Sequence, residues 1–189
     1  MIAILLAAGF SRRFGDANKL MQPLADGRAM ALVAAQNLVA AIPNTFVMIR
    51  RENIELAALL KEAGLQVLTC AEPKQSMAES LSMAIMLASE ISEPTIGFVI
   101  ALADMPYIRP ETITAVANKL HAGANIVVPT YQQQRGHPVA FAVKYKDELQ
   151  NVQGDEGARS LIKHYQSEVQ LLACDDAGIL ADIDIPEDL

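Results

Sequence analysis

The sequence has no tryptophan, and aromatic side chains make up 5% of its 189 residues. That scarcity argues against a surface on which single-stranded nucleic acid stacks its bases. Basic residues are few as well. Fifteen lysines and arginines face 22 aspartates and glutamates, for a formal net charge of −7. An acidic surface repels a phosphate backbone, so neither DNA nor RNA is an expected partner. The two cysteines, Cys70 and Cys174, lie far apart and form no CxxC. Neither a disulfide framework nor a zinc site follows from them, and buried free thiols in a reducing cytoplasm are the expected state. No apolar run is long enough to cross a bilayer. The opening IAILLAA is short for a span, and it lacks the basic residues that precede a signal-peptide core. A cytoplasmic protein with no membrane partner is expected.

Apolar residues, by contrast, are plentiful at 52%. That is enough for a sizeable core, and the length suits one domain over residues 1–189. Short apolar runs predict strands at residues 2–6, 45–49, 65–70, 96–103, 125–128, 139–143 and 169–173. Helices are predicted at 28–41, 54–63, 76–90, 110–121 and 155–165. Pro43 ends the first helix and Gly64 the second. Ser76 with Glu79 forms a capping box for the third, and Pro110 suits the first turn of the fourth. The run IGFVIALA at 96–103 has no alternation, the pattern of a strand buried on both faces. Strands alternating with helices imply a mostly parallel sheet covered on both sides, a three-layer α/β fold.

In such a sheet, ligands bind beyond the carboxyl ends of the strands. The first strand therefore delivers LAAGFSRRFGDANK, residues 6–19, to the binding edge. Gly9 and Gly15 allow positive φ and close backbone approach, so that successive N–H groups can face phosphate oxygens. Ser11 adds a hydroxyl donor, while Arg12, Arg13 and Lys19 add positive charge. GxxxxGK[ST] and GxGxxG are both absent, which excludes a P-loop and a dinucleotide fingerprint. Asp104 follows the buried run IGFVIALA and so lies at the same edge. Phosphoryl-type transfer needs Mg²⁺ there, held by one or two carboxylates and phosphate oxygens. The ending GILADIDIPEDL offers Asp182 and Asp184, whose spacing of two would point both the same way in a strand.

LAAGFSRRFG resembles the LAAGxSxRxG signature of nucleotidyltransferases that activate molybdopterin, sugars and isoprenoid alcohols. Three residues separate Gly15 from Lys19, where many relatives have two. RGHPV (135–139), in PTYQQQRGHPV from Pro129, and GDEGARSLI (154–162) resemble the molybdopterin-nucleotide branch better than the sugar or isoprenoid enzymes. The ending resembles DIDTPEDL, with Ile185 where Thr is usual. Together these identify the chain as similar to the molybdenum cofactor cytidylyltransferase family of the MobA-like nucleotidyltransferase superfamily. The resemblance implies a three-layer Rossmann-like nucleotide-diphospho-sugar transferase fold with a mostly parallel sheet.

It also implies a reaction of CTP with a molybdopterin-type cofactor, giving molybdopterin cytosine dinucleotide and pyrophosphate with Mg²⁺ (or Mn²⁺). An enzyme of the xanthine dehydrogenase family is an implied partner. Arg13, Lys19 and Asp104 would be catalytic. Leu6, Ala7, Ala8, Gly9, Ser11, Arg13, Gly15, Lys19 and Ser80 would bind nucleotide, although Ser76 stands where relatives often have Gly. Asp104 and Asp184 would hold the metal, with Asp182 as the alternative to Asp184. Arg135, Gly136, His137 and Arg159 would face the acceptor. Guanylyl-transferring relatives typically read LAGG at residues 6–9, so the Ala8 methyl is a candidate reason for cytosine. Transfer of guanylyl or another nucleotidyl group to a different phosphorylated acceptor, or carriage of the finished cofactor into a molybdoenzyme, are the alternatives.

Overall fold

The computed structural model describes residues 1–9, 18–70, 76–92, 95–154, 157–185 and 188. Its spine is an eight-stranded sheet. The strands are β1 (Ile2–Ala7), β2 (Thr45–Arg50), β3 (Gln66–Cys70), β4 (Gly97–Leu102), β5 (Ile126–Tyr131), β6 (Gln134–Arg135), β7 (Val139–Ala142) and β8 (Val169–Ala173). They run in the order β3-β2-β1-β4-β7-β5-β6, and β8 pairs with β5. The pairs β1–β2, β1–β4, β2–β3 and β5–β8 are parallel, while β7 is antiparallel to both β4 and β5. Two reversals cancel, so β4 and β5 point the same way and their carboxyl ends share an edge.

The helices are α1 (Met30–Ala41), α2 (Ile54–Glu62), α3 (Met77–Ile91), α4 (Pro110–His121), α5 (Lys146–Gln150) and α6 (Ala158–His164). The alternation of β1 sorts its side chains between the layers. Ala3, Leu5 and Ala7 join one buried cluster with residues of α1, α2 and α4. Ile2, Ile4 and Leu6 join the other with α3 and Leu149 of α5. Ser76 and Glu79 form the expected capping box: the Ser76 hydroxyl accepts from the Glu79 N–H, and the Glu79 carboxylate accepts from the Ser76 N–H. No described helix is long and apolar enough to cross a membrane.

Several elements differ from the sequence expectation. β5 runs on to Tyr131 through Pro129, which sits where β5 passes from its pairing with β7 to its pairing with β6. Pro129 donates nothing there, but its carbonyl accepts from the Gly136 N–H at 3.0 Å. β6 and α5 were not expected. α6 starts at Ala158 because its N-cap, Gly157, has φ +51° and ψ −132°, outside helical space. Gly9 does not take the positive φ expected of it. Residues 182–184 form no strand; the Ile183 N–H instead donates to the Asp104 carbonyl at 2.9 Å. Cys70 is buried as expected, but Cys174 is only half-buried.

Candidate active site

The register sets the site's floor. Leu6 lies opposite Leu102, and the Ala103 N–H donates to the Leu6 carbonyl at 3.0 Å. The chain leaving β1 through Ala7, Ala8 and Gly9 therefore emerges beside Asp104. Leu6, Ala7 and Ala8 are buried, and Gly9 is exposed. The Ala8 side chain belongs to the apolar cluster beneath α3. Any influence of its methyl on a bound base thus passes through the packing of that helix. Ser80 is buried within the same helix. Ser11, Arg12, Arg13 and Gly15 lie outside the described residues.

Lys19 opens a 3₁₀ turn, Lys19–Met21, and its side chain is 7% exposed. Its ammonium donates to Asp104 Oδ2 at 3.0 Å and to Asp184 Oδ1 at 3.2 Å. Three residues from the start, middle and end of the chain thus converge on one point. The two carboxylates are more open, at 28% and 35%. Asp182, by contrast, is exposed. Asp184 is also held through its backbone, because its N–H donates to Asp188 Oδ2 at 2.9 Å.

His137 stands just before β7, close enough to Asp104 to feel its charge. Val139 is level with Ile100 in the antiparallel pair, so continuing that register brings His137 level with Leu102, the last residue of β4. The His137 N–H donates to the Ile179 carbonyl at 3.0 Å, and its ring nitrogen Nδ1 is buried with no hydrogen-bond partner among the described residues. Gly136 is needed for this approach, since a Cβ there would stand 2.2 Å from the Ile179 carbonyl oxygen. Arg135 is exposed on β6. Arg159 is exposed on α6, whose N-cap Gly157 lies buried near the Met77 side chain at the start of α3.

Burial holds the His137 imidazole below its ordinary pKa of 6.5, outweighing the nearby Asp104 carboxylate, the Ile100 carbonyl and Asp182, which all favour the proton. The folded ring therefore takes its proton later than the unfolded chain as pH falls. Stability from this group is full above about pH 6.5 and is lost on acidification below it, until the folded ring itself titrates. His137→Gln is expected to flatten that part of the stability profile. Urea unfolding of both proteins between pH 7 and pH 5 measures it, and an unchanged slope would contradict the assignment.

A set of clamps that the sequence did not reveal fixes the loop leaving Asp104. Asn37 of α1 donates through Nδ2 to the Pro106 and Ile108 carbonyls at 3.0 and 3.1 Å. Asp176, 4% exposed, accepts from the Arg109 N–H at 3.0 Å and the Thr112 hydroxyl at 2.6 Å through Oδ2. Its Oδ1 accepts from the Gly178 N–H at 3.0 Å. Gly178 itself lies so close to the loop that a Cβ would stand 2.2 Å from the Tyr107 carbonyl oxygen. The only local hint in the sequence is a small Asp-Ala-Gly turn, since every partner outside that turn is more than 60 residues away.

Comparisons with known proteins agree with this architecture. The sequence profile of the MobA-like NTP transferase domain matches residues 3–169. The chain is 29% identical over 198 residues to the purine catabolism protein PucB of Bacillus subtilis (strain 168), a match covering 100% of this chain and 93% of that one. Crystalline Rv0371c of Mycobacterium tuberculosis H37Rv superposes with a TM-score of 0.82 at 24% identity, covering 99% of this chain and 93% of that one. Rv0371c in complex with manganese gives 0.79 at 22% identity, with coverages of 99% and 94%. At these identities the two superpositions establish the fold.

Proposed function

The chain belongs to the MobA-like NTP transferase domain family and is a nucleotidyltransferase, and within that family we propose that it joins CTP to a molybdopterin-type cofactor, forming molybdopterin cytosine dinucleotide and pyrophosphate. The observation that carries the reading is the convergence of Lys19, Asp104 and Asp184 at the carboxyl edge of the sheet. A triphosphate and its metal need a cation and paired carboxylates in that position. The acceptor is argued from RGHPV and GDEGARSLI, and from the name of the relative PucB. A purine catabolism protein fits service to a purine-oxidising enzyme of the xanthine dehydrogenase family.

Asp104 and Asp184 suit a divalent ion. Two carboxylate oxygens directed at one point are hard donors of the kind that Mg²⁺ or Mn²⁺ takes, with phosphate oxygens and water filling the remaining positions. Rv0371c, of the same fold, is known with manganese. When bound, the ion neutralises triphosphate charge and stabilises the charge that grows on the leaving pyrophosphate.

The chain's own residues position and neutralise. The segment from Leu6 to Gly9, with Ser11, Gly15 and Ser80, holds the nucleotide, and Arg13 and Lys19 balance its phosphates. Arg135, Gly136, His137 and Arg159 form the acceptor side. The acceptor's terminal phosphate oxygen bonds to the α-phosphorus of CTP, and the bond from that phosphorus to the bridging α–β oxygen breaks. That phosphate is already an anionic nucleophile, so no general base is required. Catalysis is then orientation and charge stabilisation.

Incubating the protein with the cofactor, Mg²⁺ and each of CTP, GTP and ATP tests the reading. Pyrophosphate release is expected with CTP in at least about ten-fold preference, the discrimination that one closely packed contact supplies. Preferred consumption of GTP would overturn the cytidylyl assignment. Binding of the cofactor with no pyrophosphate from any nucleotide would favour a carrier instead.

A further inference from the structure

We infer that Lys19 gates the metal: before nucleotide binds, its ammonium holds the place between Asp104 and Asp184, and a divalent ion binds well only once a triphosphate has drawn the lysine away. This rests on reading the two aspartates as the ion's ligands. The geometry supplies the conflict. Lys19 Nζ lies 3.0 Å from Asp104 Oδ2 and 3.2 Å from Asp184 Oδ1. An ion bound at the usual 2.0–2.1 Å from such oxygens would share both of them with the ammonium. A charge of +2 and a charge of +1 would then stand within a few ångströms of each other, in a place where water screens poorly because the lysine side chain is only 7% exposed.

The backbone that carries the lysine is anchored to its surroundings through Asn18 and Leu20. The turn that carries it is tied down by Met21 N–H to the Asn18 carbonyl at 3.0 Å and by Gln22 N–H to the Lys19 carbonyl at 3.1 Å. Asn18 is in turn linked to Asn53, Nδ2 to Oδ1, at 2.8 Å, and Leu20 is buried. What can move is the four-carbon stem, which is flexible and ends in a point charge suited to phosphate. An arriving triphosphate changes both sides of the competition. It offers the ammonium a more strongly charged partner, and it brings oxygens that complete the ion's shell. Nucleotide and metal therefore bind with positive coupling, and the coupling is reciprocal. Until then the ammonium offsets part of the repulsion between two neighbouring carboxylates.

The test is a Mn²⁺ titration of the purified full chain, followed by the electron paramagnetic resonance of the free ion. It compares wild type with Lys19→Met and Lys19→Gln, each without nucleotide and with the unreactive α,β-methylene analogue of CTP. Without nucleotide, the variants are expected to bind Mn²⁺ at least about ten-fold more tightly than wild type, and the tightening caused by the analogue should shrink by a similar factor. Equal affinity of wild type and variants without nucleotide would overturn the gate. Asp104→Asn in the Lys19→Met background separates the two ideas. If it abolishes Mn²⁺ binding while wild type already binds as well as Lys19→Met, the gate alone fails. If it changes nothing, the ligand assignment fails and the gate falls with it. Thermal melting checks that the lysine variants fold. Should neither fold, wild type still decides: analogue must raise the protein's Mn²⁺ affinity beyond the analogue's own, and no such rise would overturn the gate.

Discussion

Asp104→Asn is expected to lower pyrophosphate release by about a hundred- to a thousand-fold, the scale on which enzymes lose turnover when a single transition-state electrostatic contact is removed. The substitution keeps the shape and removes the charge. The backbone around it stays fixed, because the Ile183 N–H still meets the Asp104 carbonyl and the Ala103 N–H still meets Leu6. Asn37 still holds the following loop through Pro106 and Ile108. Lys19 keeps its contact with Asp184 at 3.2 Å. What is lost in the resting protein is the charge of one of two carboxylates on Lys19, and the amide oxygen that replaces Oδ2 can still accept from the ammonium. Melting should therefore barely move, and CTP should still bind within about ten-fold of wild type, since most contacts to a nucleotide come from elsewhere in the site. A coupled pyrophosphate assay beside equilibrium binding of labelled CTP separates the two effects. Turnover within about ten-fold of wild type would remove Asp104 from the chemistry.

The contrast between Asp104 and other parts of the molecule explains what could be read in advance. The parallel half of the sheet was legible because its signals are local. β4 is an uninterrupted apolar run, Ser76 and Glu79 stand three apart, and Pro110 opens α4 where expected. Asp104 followed from its place at the end of that run. The antiparallel insertion was harder. The β5–β6 hairpin turns on Gln132 and Gln133 with φ of +47° and +65°. Left-handed pairs of this kind usually announce themselves through Asn or Gly, so YQQQR carried no turn signal. The sequence likewise supplied a lysine and two aspartates without showing that they meet, since the contacts of Lys19 span 85 and 165 residues. The ending was read through a strand geometry it does not have, and the spacing of two between Asp182 and Asp184 did not show that Lys19 meets Asp184. Asp176 carried no signal that separates it from Asp175, although only one of them is buried.

That buried carboxylate supports the second large effect. Asp176→Ala is expected to destabilise the protein by about 3 kcal/mol, because it strands two backbone N–H groups and a hydroxyl in a buried place. The Arg109 N–H, the Thr112 hydroxyl and the Gly178 N–H all lose their acceptor. Arg109 Nε, 3.6 Å from Oδ1, also loses an ionic neighbour, but that side chain is 54% exposed and the contact adds little. For a chain of this size the loss corresponds to a fall in melting temperature of about 6–12 °C. Asp176→Asn should fall between wild type and Asp176→Ala, since one acceptor oxygen survives. The same clamp joins the start of α4 to the Gly178 turn, and the next residue, Ile179, bonds to His137. Turnover should therefore drop together with stability, through a loosened Asp104 loop rather than through lost charge. The two aspartates then give opposite signatures: Asp104→Asn silences the reaction in a protein that melts normally, and Asp176→Ala weakens it in a protein that melts early. Calorimetry on both variants decides the matter. An Asp176→Ala protein melting within about 2 °C of wild type, less than one kcal/mol at this size, would mean that the loop beside Asp104 is held by Asn37 and the close packing of Gly178 alone.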